Sequence, residues 1–221
     1  MQSLTLFTEL EEGNMRTIAM WSGGKDSSLA LWRALEEMNV DGLLCMIYGG
    51  KARAHGIDVE VIKAQGKAMG REIVTEETTW ENYEETLKSF FRRFGVKKAI
   101  FGDIYLQEHR DWIERVCKES GVEPFFPLWG ENTEKLAKEF VDVGFEAYII
   151  AVRKDLREIL GRKFDRELIE FALEKGIDPC GENGEFHTVV VDGPIFKERV
   201  PFKFGVIYES EKYYHLSITL P

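Results

Sequence analysis

From Arg16 to about Val152, short apolar runs alternate with stretches of helical spacing. The runs are Ile18–Trp21, Leu43–Tyr48, Ile73–Val74, Ala99–Phe101, Phe125–Leu128 and Tyr148–Val152. Each is short and nearly continuous in apolar character, which fits a strand buried on both faces rather than one with a wet face. Between them, apolar residues recur at helical intervals: Leu31, Trp32, Leu35 and Met38; Val59, Ile62 and Met69; Tyr83, Leu87, Phe90, Phe91 and Phe94. Two further stripes are Trp112, Ile113 and Val116, then Leu136, Phe140 and Val143. Strand–helix alternation of this kind needs crossover connections, so it predicts an α/β fold: a doubly wound, mainly parallel, Rossmann-like sheet with helices on both faces. The aromatic stripe at 83–94 reads as core packing.

After Val152 the rhythm changes. Residues 166–175 keep a helical pattern, but Thr188–Val191, Phe202–Tyr208 and Tyr213–Thr219 are β-rich, the last two flanking a hairpin turn at Glu209-Ser210-Glu211. This predicts three parts: a lead-in over 1–15, an α/β domain over 16–152, and a smaller C-terminal α+β subdomain over 153–221 packed on it.

Composition narrows the class. Of 221 residues, 44% are apolar and 31% charged, which excludes a disordered chain and fits one large core under a charged surface. No apolar run approaches the ~18 residues of a membrane span, and Glu9, Glu11 and Glu12 stand where a secretion signal would be basic and then apolar. With 29 Lys and Arg against 39 Asp and Glu, the net charge of −10 repels phosphate backbones and argues against a nucleic-acid partner. Cys45, Cys117 and Cys180 are widely separated, fitting neither a disulfide framework nor a four-thiolate zinc site. A soluble protein of the reducing cytoplasm, with no membrane partner, is expected.

Trp21-Ser22-Gly23-Gly24-Lys25-Asp26-Ser27-Ser28 falls where the first strand should end and the first helix begin. In open α/β sheets, ligands bind beyond the carboxyl ends of the strands. Adjacent Gly23 and Gly24 allow a tight turn and close backbone approach, and the helix that follows offers free N–H groups to an anion. Lys25 adds a point charge, and Ser22, Ser27 and Ser28 add hydroxyls. The chemistry is that of a polyphosphate cradle, and it is neither the G-x-x-x-x-G-K-[ST] nor the G-x-G-x-x-G pattern. A polyphosphate leaving group calls for Mg2+, for which Asp26 is the candidate ligand; the alternative is that its carboxylate only holds the loop.

A second unusual segment runs Asp178-Pro179-Cys180-Gly181-Glu182-Asn183-Gly184-Glu185-Phe186-His187-Thr188 and continues to Asp192-Gly193-Pro194-Ile195-Phe196. Glu182, Glu185 and His187 crowd a glycine-bearing loop, and clustered ionisable groups on such a loop point to function more than a single charge does. A solvated turn before a strand is the structural alternative. His55 and Asp103 lie just past the second and fourth predicted strands, at the same sheet edge. Cys180 reads as a small packing residue and His215 as a cross-strand surface residue.

The first loop resembles the S-G-G-x-D-S loop of the ATP pyrophosphatases, which cleave ATP between the α and β phosphates. Together with G-E-x-G-E-F-x-T and D-G-P-x-F, the chain resembles the diphthine–ammonia ligase family. His55 with Gln65, Ala68 and Gly70, then Gly102-Asp103-Ile104, Arg110, Trp112 and Glu114, Pro127-Leu128-Trp129-Gly130 and Leu160-Gly161-Arg162 agree, so the likeness runs from Trp21 to Phe196. The resemblance implies ATP and Mg2+ as cofactors, with nucleotide held by Ser22, Gly23, Gly24, Lys25, Asp26, Ser27, Ser28, Gly102 and Asp103. It implies Lys25, Glu182, Glu185 and His187 as catalytic residues, and His55, Arg162, Glu182, Asn183, Glu185 and Thr188 as substrate contacts. The implied reaction adenylylates the carboxylate of diphthine on elongation factor 2 and transfers ammonia, from ammonium, to give diphthamide; the pattern leaves room for a homodimer. Asn183, His187 and Gly56 depart from the family's usual residues, and the departures lie on the acceptor side. Three other readings stand beside this one: amidation of another small carboxylate, a tRNA-modifying pyrophosphatase, and a nucleotide-binding module without turnover.

Overall fold

The computed structural model describes residues 15–53 and 55–221. Residues 1–14 of the expected lead-in lie outside the described residues, and Met15 is fully buried against the core. The chain runs β1 (Thr17–Met20), α1 (Lys25–Glu37), β2 (Gly42–Tyr48), β3 (Lys51–Ala52), α2 (Val59–Met69), β4 (Ile73–Glu77), α3 (Tyr83–Phe94), β5 (Lys98–Ile100), α4 (Gln107–Ser120) and β6 (Glu123–Phe125). It continues α5 (Thr133–Asp142), β7 (Glu146–Arg153), a 3-10 turn (Lys154–Ile159), α6 (Arg166–Lys175), β8 (Phe186–Asp192), β9 (Lys203–Glu209) and β10 (Tyr213–Thr219).

The first sheet is parallel in the order β4-β2-β1-β5-β6, with the two-residue β3 antiparallel at the end of β2. The strands stay parallel, but the side on which successive strands are added reverses between β1 and β5. That switch point opens a crevice at the carboxyl ends, where Ser22–Gly24 follow β1 and Gly102–Asp103 follow β5. The aromatic stripe of α3 packs with α4 on one face of the sheet, where Phe90 is fully buried, as the periodicity predicts.

The second sheet is antiparallel in the order β8-β7-β10-β9. Here the structure corrects one expectation. Tyr148–Val152, expected as a further parallel strand of the first sheet, forms the middle of β7 and pairs antiparallel with β8 and β10. A continuous apolar run reports burial on both faces, and β7 is buried as an inner strand of the second sheet. It does not report the direction of the neighbours. The expected strand through Leu128 also stops early: β6 ends at Phe125, and 127–130 turn. The β9–β10 hairpin forms as expected, closed by Ser210 N–H donating to the Tyr213 carbonyl at 2.8 Å.

One apolar cluster runs through both sheets, joining Leu31, Ile62 and Leu43 to Val152, Phe164, Val189 and Val191. Because the core is shared, the second sheet is held against α1 and α2, and it reaches the carboxyl edge of the first.

Candidate active site

At the start of α1, the N-cap residue makes no side-chain hydrogen bond to the helix. Gly24 occupies the N-cap and has no side chain to cap with, whereas Asp58, Asn132 and Asp165 cap α2, α5 and α6 through their side chains. Gly23 takes φ +81°, a left-handed turn suited to glycine. Ser22 Oγ lies 3.0 Å from Ser27 Oγ and accepts from the Gly24 N–H at 3.3 Å. Ser27 and Ser28 hydroxyls turn inward to the Gly24 carbonyl, at 3.0 and 2.9 Å, so they brace the turn.

Lys25 is 4% exposed. Its Nζ donates to both Asp26 carboxylate oxygens, at 2.8 and 2.7 Å, and to the Cys180 carbonyl. Burial acts to lower its pKa, but Asp26, with Cys180 and Glu182 nearby, outweighs it, and the ammonium is held above its ordinary value. Lys25, expected as a phosphate-binding cation, is therefore buried and charged, with its ammonium shared between Asp26 and the second loop.

The two unusual segments meet at this point. The Lys25 backbone N–H donates to Thr188 Oγ1 at 3.0 Å, and Val190 N–H donates to the Gly23 carbonyl at 2.9 Å. His55 Nδ1 sits 2.9 Å from the Thr188 carbonyl, which can only accept, so Nδ1 carries the proton. The His55 ring lies over Gly24 so closely that a Cβ there would fall 2.0 Å from His55 Cε1. The His55 and His187 rings lie tilted with centroids 5.0 Å apart, and His187 meets Tyr213 at 5.8 Å. Burial holds both imidazoles neutral, with His55 lowered to about 4 and His187 to about 3.

The carboxylates divide by role. Glu182 stands in the field of Asp26, Lys25, Asp103 and Asp178, and burial followed by Asp26 pushes its carboxyl up to about 8. Glu185, 5% exposed, instead accepts from the Asn183 N–H at 3.0 Å, the Asn183 side-chain amide at 3.3 Å and the Asp178 N–H at 3.4 Å. It braces the loop from inside. Gly102 packs against the Asp26–Ser27 backbone, where a Cβ would come within 3.0 Å of Asp26 C and Ser27 N. Asp103 lies 3.5 Å from His109, which it holds above the ordinary histidine value by hydrogen bonding. Arg162 is tied elsewhere: its guanidinium lies over Phe171 of α6, and its carbonyl accepts from Ile149.

Cys180 is buried, its thiol 3.3 Å from the Thr133 carbonyl and raised by burial, as a packing residue should be. His215 stacks on Tyr208 across the β9–β10 pair. Sequence reading missed three contributors. Tyr105 donates to Asn183 Oδ1 at 3.1 Å and Asp178 at 3.3 Å, Tyr213 donates to the Gly184 carbonyl at 2.7 Å, and Asp178 accepts from the Cys180 N–H at 2.7 Å. Tyr105 carries a signal in hindsight, being an aromatic just beyond the carboxyl end of β5.

Among the described residues no group of three or more His, Cys, Asp or Glu could cage a metal ion. Mg2+ asks for less, since one or two carboxylates suffice when phosphate oxygens and waters fill the shell. Asp26, with its hard oxygens at the mouth of the turn, fits that role. No helix among the described residues is long and apolar enough to cross a membrane.

Comparison with known proteins places nearly the whole sequence. Residues 15–124 match the diphthamide synthase N-terminal domain, and residues 132–220 match the diphthamide synthase C-terminal domain. The diphthine–ammonia ligase of Rattus norvegicus is 28% identical, covering 84% of this chain and 82% of the relative. That of Homo sapiens is also 28% identical, covering 74% of this chain and 60% of the relative. A solved chain described as a subunit of tRNA methyltransferase from Methanocaldococcus jannaschii aligns more loosely, with a TM-score of 0.48 and 16% identity over 81% of this chain and 98% of that one. With both domain families matched in order across nearly the whole length, this chain belongs to the diphthamide synthase family.

Proposed function

We propose that this chain joins ammonia to a carboxylate at the expense of ATP, as an amide-forming ligase of diphthamide synthesis, and that the acceptor is diphthine on elongation factor 2. The observation that carries this reading is the meeting of the two loops on Lys25. The turn after β1 offers an anion a buried cation and a helix start with no side-chain cap, and the Glu182-bearing loop stands against it.

A carboxylate is a poor electrophile, so its oxygen first attacks the α-phosphorus of ATP and pyrophosphate leaves. Lys25 and the Gly23–Gly24 turn hold the outer two phosphoryl groups as negative charge builds on them. Mg2+ bound at Asp26 would neutralise part of that charge. Ammonia then attacks the acyl carbon, and AMP leaves. Ammonium must lose a proton before it can attack. Of the candidate groups, Glu182 suits this best, because a base works best with a pKa near the working pH. His187, lowered to about 3, is a weak base and packs between His55 and Tyr213. Glu185 keeps the loop in shape.

The test is product analysis with diphthine-bearing elongation factor 2, ammonium and ATP. Release of AMP and pyrophosphate in step with amide formation supports the reading. ADP as product, or turnover that responds to tRNA and not to the factor, overturns it.

A further inference from the structure

Gln65 is fully buried on the inner face of α2, among Ile62, Ala68 and Met69. A leucine or methionine would fill such a site without the cost of burying an amide. The amide makes three hydrogen bonds instead, two to the turn after β1 and one to β8. Trp21 Nε1 donates to Gln65 Oε1 at 2.9 Å, and Gln65 Nε2 donates to the Gly23 carbonyl at 3.0 Å and the Val190 carbonyl at 2.7 Å. The indole can only donate, so it selects which end of the amide faces it and turns the NH2 group toward the two carbonyls.

The consequence lies one peptide further on. In a trans peptide, C=O and N–H point in opposite directions. The Gly23 carbonyl is held toward α2 and β8 twice over, by Gln65 and by the Val190 N–H. The Gly24 N–H is thereby aimed the other way, where it makes a long 3.3 Å bond to Ser22 Oγ that a phosphate oxygen could replace. At φ +81°, Gly23 has the conformational freedom to let this peptide rotate, so something must fix it. We infer that Gln65 is a positioning residue: with Val190 of the second sheet, it holds the Gly23–Gly24 peptide in the orientation that presents the Gly24 N–H to a polyphosphate. The inference rests on reading this turn as the pyrophosphate grip.

The test compares Gln65→Glu and Gln65→Met with the wild type, measuring calorimetric affinity for inorganic pyrophosphate with Mg2+ and, separately, for AMP. Gln65→Glu keeps the acceptor for Trp21 and nearly the same shape, but leaves no donor as a carboxylate and one at most as a carboxylic acid, so at least one of the two carbonyls loses its partner; Gln65→Met removes all three bonds. Pyrophosphate affinity should fall about tenfold or more in both, given what a lost donor costs at a charged oxygen, while AMP affinity stays within about twofold. Phe90→Leu, a core change on the α3 side of the sheet, supplies a control for lost stability alone and should move neither ligand. Unchanged pyrophosphate affinity in either variant overturns the positioning role, as does an equal loss for both ligands. Failure of the wild type to bind pyrophosphate overturns the grip itself, and this inference with it.

Discussion

The backbone N–H of Lys25, first residue of α1, donates to the Oγ1 of Thr188, 163 residues later, at 3.0 Å and out of reach of water. A helix that begins on a glycine leaves its first amides unpaired, and here a threonine from the other sheet takes one of them. The turn after β1 and the strand that follows the Glu182-bearing loop are registered to each other by this bond together with the Val190 N–H on the Gly23 carbonyl.

Lys25→Met should abolish most of the first half-reaction. The substitution keeps the aliphatic stem packed near Phe164 and Phe186 and removes only the ammonium. Pyrophosphate–ATP exchange should fall by about 100-fold or more. Circular dichroism should be unchanged, and exchange at the wild-type rate would remove Lys25 from the reaction.

Glu182→Gln and Glu185→Gln should separate chemistry from architecture. Glu182→Gln should slow ammonium-dependent amide formation about tenfold or more while leaving the melting temperature within a degree or two. Glu185→Gln weakens the acceptor of two backbone N–H groups, so its first effect should be a lower melting temperature, by several degrees for a loss of about 1–3 kcal/mol. Equal melting temperatures for the two variants would contradict this division.

Gly102→Ala should damage nucleotide use more than folding. The added methyl would press on the Asp26–Ser27 backbone, which cannot move without moving the start of α1. A rise in the KM for ATP of about tenfold, with unchanged KM for ammonium, is the expected split; KM values that move together would argue for general damage instead.

Acid stability should depend on Glu84, which anchors α3 to α4. Its carboxylate accepts from Arg115 at 2.6 and 2.9 Å, from Lys88 at 2.6 Å and from Trp112 Nε1 at 3.2 Å. Hydrogen bonds from Arg115 and Lys88 hold it down at about 2. A carboxyl depressed on folding contributes stability that is complete above its unfolded pKa, about 4.3, and is lost as pH falls toward 2. Glu84→Gln should therefore lower the melting temperature at pH 7 and flatten its decline between pH 4.5 and 2. An unchanged acid limb would show that the network contributes nothing there.

Much of this molecule is legible in its residue pattern, and the illegible parts share a cause. Helices α1 to α6 and strands β1, β2, β4 and β5 of the first sheet follow from apolar spacing, because burial has a period; the two-residue β3 and the early end of β6 do not. Strand direction does not, which is why Tyr148–Val152 looked like one more parallel strand. The turn at Ser22–Ser28 could be read because glycines, hydroxyls and a lysine at a strand end have few other uses. Glu182 and Glu185 could not be told apart, since residue type says nothing of which side of a loop a carboxylate faces. Gln65 was visible only as part of a resemblance; its three partners lie at sequence distances of 44, 42 and 125, and spacing along one helix cannot reveal them.

The continuous apolar cluster has a practical meaning for anyone who would take the protein apart. A cut near Glu131, between the two matched families, would strip Val189 and Val191 from Leu31 and Ile62 and leave each fragment with a raw greasy face. Neither piece would be expected to stay in solution by itself; co-expressed, they should find each other and rebuild one particle.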